Sequence, residues 1–204
     1  RGSDAPTGIE VGPDGSLYVT DTGRHVIWRV HPDGTKEIIA GTPIVPGFTG
    51  DGGPATYARL SSPKGLDLGP DGSIYFADWS NHRVRRIDPD GINTTIAGTG
   101  SYGFSGDGGL AVEAQLNAPQ DVAVGSDGQI YIADTYNNRA RSISTDGYIW
   151  TVAGNGATFP LGDGGPAVEA AVDRPRSVAV DAQDNLYVVD LGNGNPRVRR
   201  IAIN

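Results

Sequence analysis

Short apolar segments alternate with tight polar turns along the chain, and the same order of segments returns at a fixed interval. The clearest marker is an aromatic, apolar segment that closes on an aspartate. It closes at Asp21, Asp78, Asp134 and Asp190, so the steps are 57, 56 and 56 residues. A constant period of this length is the signature of one structural unit used repeatedly. The pattern indicates three full units and part of a fourth.

Each unit reads as four short strands joined by tight turns. The first strand alternates (GLDLG at 65–69, DVAVG at 121–125) and leads into a turn such as Pro70-Asp71-Gly72. Asp-Gly pairs favour the positive backbone angles that a tight hairpin needs. The second strand is almost wholly apolar (SIYFA, QIYIA), the third carries arginine (VRRI, ARSI), and the fourth ends in Ala-Gly (TTIAG, WTVAG).

The second strand has no polar face, which predicts that it is buried on both faces. Four-stranded sheets that stack radially satisfy this requirement, because each blade lies between two neighbours. The sequence therefore predicts an all-β propeller built of four-stranded antiparallel blades. A two-sheet sandwich would not produce so regular a period, and a parallel β-helix would have a shorter one.

The segment LSSPKGLDLGPDGSIYFADWSNHRVRRID at 60–88, followed by TTIAG and GDGG, resembles the NHL repeat. The same pattern recurs at 116–144 and more loosely at 9–31 and 173–201. The resemblance implies blades of a propeller that usually has six. It says little about function, since NHL-type propellers include binders of protein, RNA or small ligands as well as lyases and hydrolases.

The repeats divide the chain into an N-terminal tail and four blades with their connectors. The boundaries are tail 1–8, blade 1 at 9–60, blade 2 at 61–116, blade 3 at 117–172 and a partial blade 4 at 173–204. An open blade edge exposes apolar surface and unpaired backbone. We therefore expect self-association through open edges, or pairing with further blades of a parent chain.

Composition narrows the function classes. The 204 residues include 31 Gly and 14 Pro, no Cys and no Met, and carry a net charge of −8. The acidic balance disfavours nucleic acid as a partner, and the absence of Cys excludes disulfides and thiolate chemistry. No apolar run is long enough to span a membrane. The missing Met indicates a piece of a longer or processed polypeptide. The sequence assigns no compartment, and a secreted or extracytoplasmic location is slightly favoured.

The glycine-rich connectors GFTGDGG (47–53), GFSGDGG (103–109) and GDGG (162–165) raise three alternatives. A phosphate cradle needs a lysine, serine or threonine at a set place after the glycines, but Pro54, Leu110 or Pro166 follows here and the loops contain no lysine. A calcium loop needs several oxygen ligands, and each connector supplies one carboxylate, Asp51, Asp107 or Asp163. The third alternative is structural, with glycines setting the chain path and the aspartate capping the following short helical turn. No cofactor is predicted, with Ca²⁺ kept as the candidate for these three acids.

The recurrent acids Asp21, Asp78, Asp134 and Asp190 could form a ring of carboxylates at one rim. The simpler interpretation has each acid accept from the following turn or pair with a third-strand arginine. The arginines so assigned are Arg85, Arg141 and Arg199. We expect no acid, His or Lys to break the repeat in the way that a catalytic residue would.

The turns between second and third strands supply the candidate binding face. Trp79, Tyr136, His25, His82 and Asn138 lie in or beside these turns, and exposed aromatic turn residues often mark recognition surfaces. The function predicted is a non-enzymatic module that binds a protein or another ligand through this face. The alternative is part of a propeller lyase or hydrolase with a metal on the axis.

Overall fold

The computed structural model of the chain describes residues 4–159, 162–192 and 196–201. It contains four antiparallel sheets, and apart from four single turns of 3-10 helix the described residues form strands, turns and loops. The fold is thus the predicted all-β propeller. No described helix is long and apolar enough to cross a membrane.

Sixteen strands build the four blades within the part of the chain that the structure describes. The strands of blade 1 are β1 (Pro6–Val11), β2 (Leu17–Asp21), β3 (Val26–Val30) and β4 (Lys36–Ala40). Those of blade 2 are β5 (Gly53–Pro54), β6 (Pro63–Leu68), β7 (Ile74–Asp78), β8 (Arg83–Ile87) and β9 (Ile92–Ala97). Those of blade 3 are β10 (Asp121–Val124), β11 (Ile130–Asp134), β12 (Arg139–Ile143) and β13 (Ile149–Ala153). Blade 4 has β14 (Ser177–Val180), β15 (Leu186–Asp190) and β16 (Arg197–Ile201).

Each blade is a meander in which consecutive strands pair antiparallel. The inner strands β1, β6, β10 and β14 pack side by side in that order around the axis. Blade 2 gains a fifth strand, because the short strand β5 pairs with the outer strand β9. The connector that leaves blade 1 therefore lies on the outer edge of blade 2.

The first strand begins earlier than predicted. β1 starts at Pro6, so it includes three residues of the predicted tail 1–8. Its register against β2 shifts between Pro6 and Gly8, which removes the alternation that would have revealed a strand. Residues 1–3 of that tail and 202–204 of the predicted partial blade lie outside the described residues.

Among the described residues the hydrophobic core consists of three clusters, each between neighbouring blades. The cluster between blades 1 and 2 joins Ile27 and Ala40 to Phe76, and equivalent clusters fill the next two gaps. All five residues of β11 are buried, whereas β2 is half-buried over its first three residues. The second strand is most buried where described blades lie on both sides, which is the physical origin of its apolar sequence.

Candidate functional site

A buried arginine stands at the centre of blade 2. Arg85 on β8 has no exposed surface, and its Nη2 donates to Asp51 Oδ1 at 2.8 Å while its Nη1 donates to Asp78 Oδ2 at 3.3 Å. The same guanidinium also donates to the backbone carbonyls of Thr49 and Arg59. One carboxylate comes from the connector and the other from β7, so the arginine ties the connector to the blade that follows it.

The same arrangement recurs in blades 3 and 4. Arg141 lies 2.7 Å from Asp107 and 3.8 Å from Asp134. Arg199 lies 2.7 Å from Asp163 and 3.2 Å from Asp190. In blade 1 the register position of these arginines holds Trp28, and Asp21 instead accepts from the backbone of Ala5 and Arg24.

The phenylalanines of the connectors GFTGDGG and GFSGDGG close the arginine pockets of blades 2 and 3. Phe48 lies under Arg83, with 3.6 Å from the guanidinium carbon to the ring centroid, and Phe104 lies under Arg139 at 3.7 Å. The same rings lie 5.0 Å from the guanidinium carbon of the buried Arg85 and 5.1 Å from that of the buried Arg141, and such cation–π contacts stabilise a guanidinium that has been removed from water. The connectors therefore serve as clamps on the next blade, and their glycines let the backbone turn there.

The connector acids do not cap the following helical turns, so that part of the sequence expectation is wrong. The turns Ala55–Tyr57 and Ala111–Glu113 begin after Pro54 and Leu110, with no side-chain cap. The aspartate faces inward instead, because a buried guanidinium offers it stronger hydrogen bonds than exposed amides do.

Neither oxygen of the connector acids is left without a protein donor in blades 2 and 3. Asp51 accepts from Arg85, Asn93 and Thr95, and Asp107 accepts from Arg141 and Thr151. Within the described residues no three His, Asp or Glu side chains form a group that could hold a metal ion. The contacts around these acids are those of an ion pair with added hydroxyl donors.

Burial shifts the pKa of two strand-end acids, Asp78 and Asp134. It raises both pKa values to about 6, against the opposing effects of the hydrogen bonds from Asn81 and Asn137 and of the charges of Arg85 and Arg141. These acids are fully enclosed within the blades. They hold the sheet together and are not presented at an open rim.

The turn residues His25, His82 and Asn138 bridge neighbouring blades. Each adopts a left-handed backbone conformation. Nδ1 of His25 accepts from the Ser62 amide at 3.0 Å, and Nδ1 of His82 accepts from the Ala118 amide at 3.0 Å. Asn138 does the same with its Oδ1, accepting from the amide of Arg174 at 2.9 Å. Desolvation lowers the pKa of both histidines, which favours the neutral ring that this acceptor role requires.

We call the surface formed by turns 22–25, 79–82 and 135–138, with the first halves of the connectors, the turn face. The connectors join it through bonds such as Asn81 Nδ2 to the Gly47 carbonyl at 2.7 Å and Asn137 Nδ2 to the Gly103 carbonyl at 2.6 Å. Tyr136 is 53% exposed there, whereas Trp79 is half-buried with Lys64 Nζ 4.1 Å from its ring centroid. The structure thus presents one of the two aromatic candidates to solvent.

The first half of each connector also carries one apolar side chain that is more than half exposed, which the repeat pattern did not reveal. These side chains are Ile44 (60% exposed), Tyr102 (74%) and Phe159 (58%). They occupy non-equivalent connector positions, so an alignment of the units hides them. Ile44 also has a positive φ of 58°, which is unfavourable for a β-branched residue and often marks a functional position.

A polar cavity of about 720 Å³ lies along the axis and is lined by all four inner strands. Its walls include Glu10, Asp67, Asp121, Lys64 and Arg176. The expectation that no acid or Lys breaks the repeat is therefore incorrect. Glu10 and Asp67 occupy the position that holds Ala123 and Ala179 in the other blades, and this difference within the first strands was the available signal.

A family model described as "Teneurin NHL domain" matches residues 39–105 and 100–159, which together cover more than half of the chain. The chain belongs to the teneurin NHL domain family. Teneurin-3 of Mus musculus is 31% identical over 201 residues, covering 86% of this chain and 7% of that protein. Teneurin-4 of Homo sapiens is 33% identical over 157 residues, covering 68% and 6%. The chain thus spans less than a tenth of the length of these teneurins.

Solved structures support the fold of this teneurin-type NHL domain. A protein of unknown function from Bacteroides thetaiotaomicron superposes with a TM-score of 0.77 at 21% identity, covering 98% of this chain and 47% of that one. A streptogramin B lyase superposes with a TM-score of 0.60 at 16% identity, covering 97% and 54%. At these identities the likeness concerns the propeller alone.

Proposed function

We propose that this NHL propeller is a non-enzymatic recognition module that binds a partner protein through its turn face. The observation that carries the proposal is the set of exposed apolar side chains there: Ile44, Tyr102, Phe159 and Tyr136. Soluble surfaces seldom gather large apolar side chains on one face unless that face makes contacts. Aromatic residues contribute much of the binding energy at protein interfaces.

The rigid support behind these side chains favours the same function. The turns are tied to the connectors by hydrogen bonds, and the connectors are tied to the blades by Arg85 and Arg141. A recognition surface on rigid supports loses less conformational freedom on binding.

A photo-crosslinking amino acid in place of Tyr102 tests this proposal in the protein's native cells. We expect a discrete cross-linked product of higher mass, weakened in the background of Ile44→Ser with Phe159→Ser. Tyr57 supplies the matched control, since it is 80% exposed and follows β5 at the outer edge of blade 2. The same product from the Tyr57 position, or none from the Tyr102 position, would contradict the proposal.

The free edge of β16 supports a second role, in assembly. In blades 1 to 3 the third strand pairs with an outer strand, but within the described residues no strand pairs with the outer edge of β16. Val198 on β16 is 70% exposed, whereas its register equivalents Ile27, Val84 and Ala140 have no exposed surface. A cavity of about 820 Å³ lies beside β16, between that strand and the connector at 162–168.

Blades 2 and 3 define the strand that fits this edge. Ala97 pairs with Val84, and Thr95 donates to the connector acid Asp51 at 2.6 Å. By equivalence, the incoming strand carries Thr-(Ile or Val)-Ala-Gly, with its alanine on Val198 and its threonine on Asp163. We propose that another NHL-type segment supplies this strand, since β4, β9 and β13 of a second copy are already paired.

A labelled peptide with the sequence of residues 91–99 measures this assembly role by fluorescence anisotropy. We expect saturable binding that is lost with Val198→Lys and with a peptide whose alanine is replaced by lysine. Binding of a scrambled peptide with equal affinity would refute the strand-addition role. So would a stable dimer by light scattering that the peptide leaves intact.

A further inference from the structure

The mouth of the axial cavity carries two cationic side chains, Lys64 and Arg176, for which the described residues supply no carboxylate partner. One equivalent position at the start of each inner strand lines the axial cavity, and its successive residues are 57, 56 and 56 positions apart in sequence. The residues at this position are Thr7, Lys64, Gln120 and Arg176. The blades hold four different residues here, so the blade fold does not dictate the choice. In a repeat protein, positions that the fold leaves free to vary can carry the groups that bind a ligand.

Lys64 is held in place by neutral groups. Its ammonium donates to Gln120 Oε1 at 3.3 Å and lies over the Trp79 ring. Burial and the charge of Arg176 lower the pKa of Lys64. Among the described residues neither Lys64 nor Arg176 is within ion-pair distance of a carboxylate, although the chain has 24 acidic residues against 16 basic ones. Two like charges placed together in an acidic protein favour an anion between them.

The acids of the cavity do not neutralise this pair. Asp67 accepts from the backbone amides of Leu68 and Val124, and Asp121 accepts from Ser177 and Val178. They therefore join neighbouring inner strands, which pack without a continuous ladder between blades. Asp67 lies three residues after Lys64 on β6, and Glu10 lies at the equivalent position of β1. At the usual rise of a strand, both acids are roughly 10 Å deeper in the cavity than the mouth.

We propose that the axial mouth binds a small organic carboxylate through Lys64, Gln120 and Arg176. Gln120 accepts from Lys64 with its oxygen, which leaves its amide nitrogen as a donor toward the cavity. The site then offers an ammonium, a guanidinium and an amide, and a planar carboxylate suits the fork of an arginine. The cavity lies within the size range of small-molecule sites. This site is separate from the apolar side chains of the turn face.

Isothermal titration with succinate at constant ionic strength tests the site on the whole chain. We expect saturable binding that weakens at least tenfold in Lys64→Gln and in Arg176→Gln, while Lys64→Arg keeps most of the affinity. Lys36→Gln is the matched control, because it removes the same charge from an outer strand, where Lys36 lies over Trp28. Thermal unfolding of each variant shows whether its fold is intact.

Three outcomes would overturn the proposal. The first is no saturable binding of succinate by the natural sequence, and the second is an equal loss in Lys36→Gln, which would indicate general charge screening. The third is inorganic phosphate binding at least tenfold more tightly than succinate, which would assign the site to phosphate. Failure here would leave the cross-linking result at Tyr102 unaffected, so the two proposals are tested separately.

Discussion

Replacing Arg85 with methionine would remove the centre of the clamp in blade 2. The buried guanidinium makes four hydrogen bonds, two to the carboxylates of Asp51 and Asp78 and two to the carbonyls of Thr49 and Arg59. Bonds to a charged group contribute about 1.5–3 kcal/mol each, or roughly 6–12 kcal/mol before desolvation is counted. Removing one partner of a buried pair costs about 3–5 kcal/mol net. We expect a loss of that size in the free energy of unfolding.

The size of this loss should depend on pH. Burial raises the pKa of Asp78 to about 6, and the loss of Arg85 would raise it further. At pH 8 the variant buries an unpaired carboxylate or must protonate it, whereas at pH 5 that group is already largely neutral in the natural sequence. The penalty of Arg85→Met should therefore be larger at pH 8 than at pH 5, and Asp78→Asn in the same chain should relieve part of it.

Urea unfolding at the two pH values measures these effects, and Arg86→Met is the matched control. Arg86 is the next residue on β8 and pairs with Asp71, but the two side chains are 34% and 47% exposed. A surface pair of this kind contributes about 0–1 kcal/mol. Equal losses in Arg85→Met and Arg86→Met, or a penalty for Arg85→Met that does not change with pH, would refute the clamp as described.

Two further predictions concern the turns. The histidine pKa values are lowered on folding, so the stability due to His25 and His82 is present above their ordinary pKa of about 6.5 and is lost as pH falls below it. Thermal unfolding between pH 8 and pH 5 should show this loss relative to a variant with His25→Asn and His82→Asn, because asparagine keeps the hydrogen-bond acceptor found at Asn138. If the melting temperatures of the two proteins fall equally with pH, the prediction is wrong. Gly98→Ala should destabilise more than Gly91→Ala in urea unfolding, because a Cβ at Gly98 would lie 2.3 Å from the His82 carbonyl oxygen while one at Gly91 meets nothing within 4 Å. Equal losses would mean that the positive φ of both glycines, and not the close contact, sets the cost.

The period and the order of strands could be predicted because they depend on local signals. Asp-Gly turns, apolar second strands and the recurrent aspartates all lie within one unit. The partners of the connectors could not be predicted in the same way. Asp51 and Arg85 are 34 residues apart, and no local signal shows that this aspartate reaches into the next blade and does not cap its own turn.

The sites that escaped prediction are those where the units differ. Lys64 and Arg176 have no counterpart in the averaged repeat, so attention to the repeat conceals them. Ile44 and Tyr102 lie in connectors whose lengths and sequences vary, and their exposure depends on how those connectors fold back on the turns. The side chains that maintain the repeat stabilise the fold, and the exceptions carry the candidate binding chemistry.

The connector clamps also set the size of the cooperative unit. Phe48 and Asp51 follow blade 1 in sequence, but they close the arginine pocket of blade 2. A segment cut at the repeat boundary would therefore separate blade 2 from the connector residues that stabilise it. Repeat proteins unfold according to the coupling between adjacent units. Here part of that coupling comes from a connector that belongs to one unit in sequence and packs on the next. An autonomous module would therefore begin at a glycine-rich connector and end at the next outer strand, and opening one blade would loosen the blade that follows it.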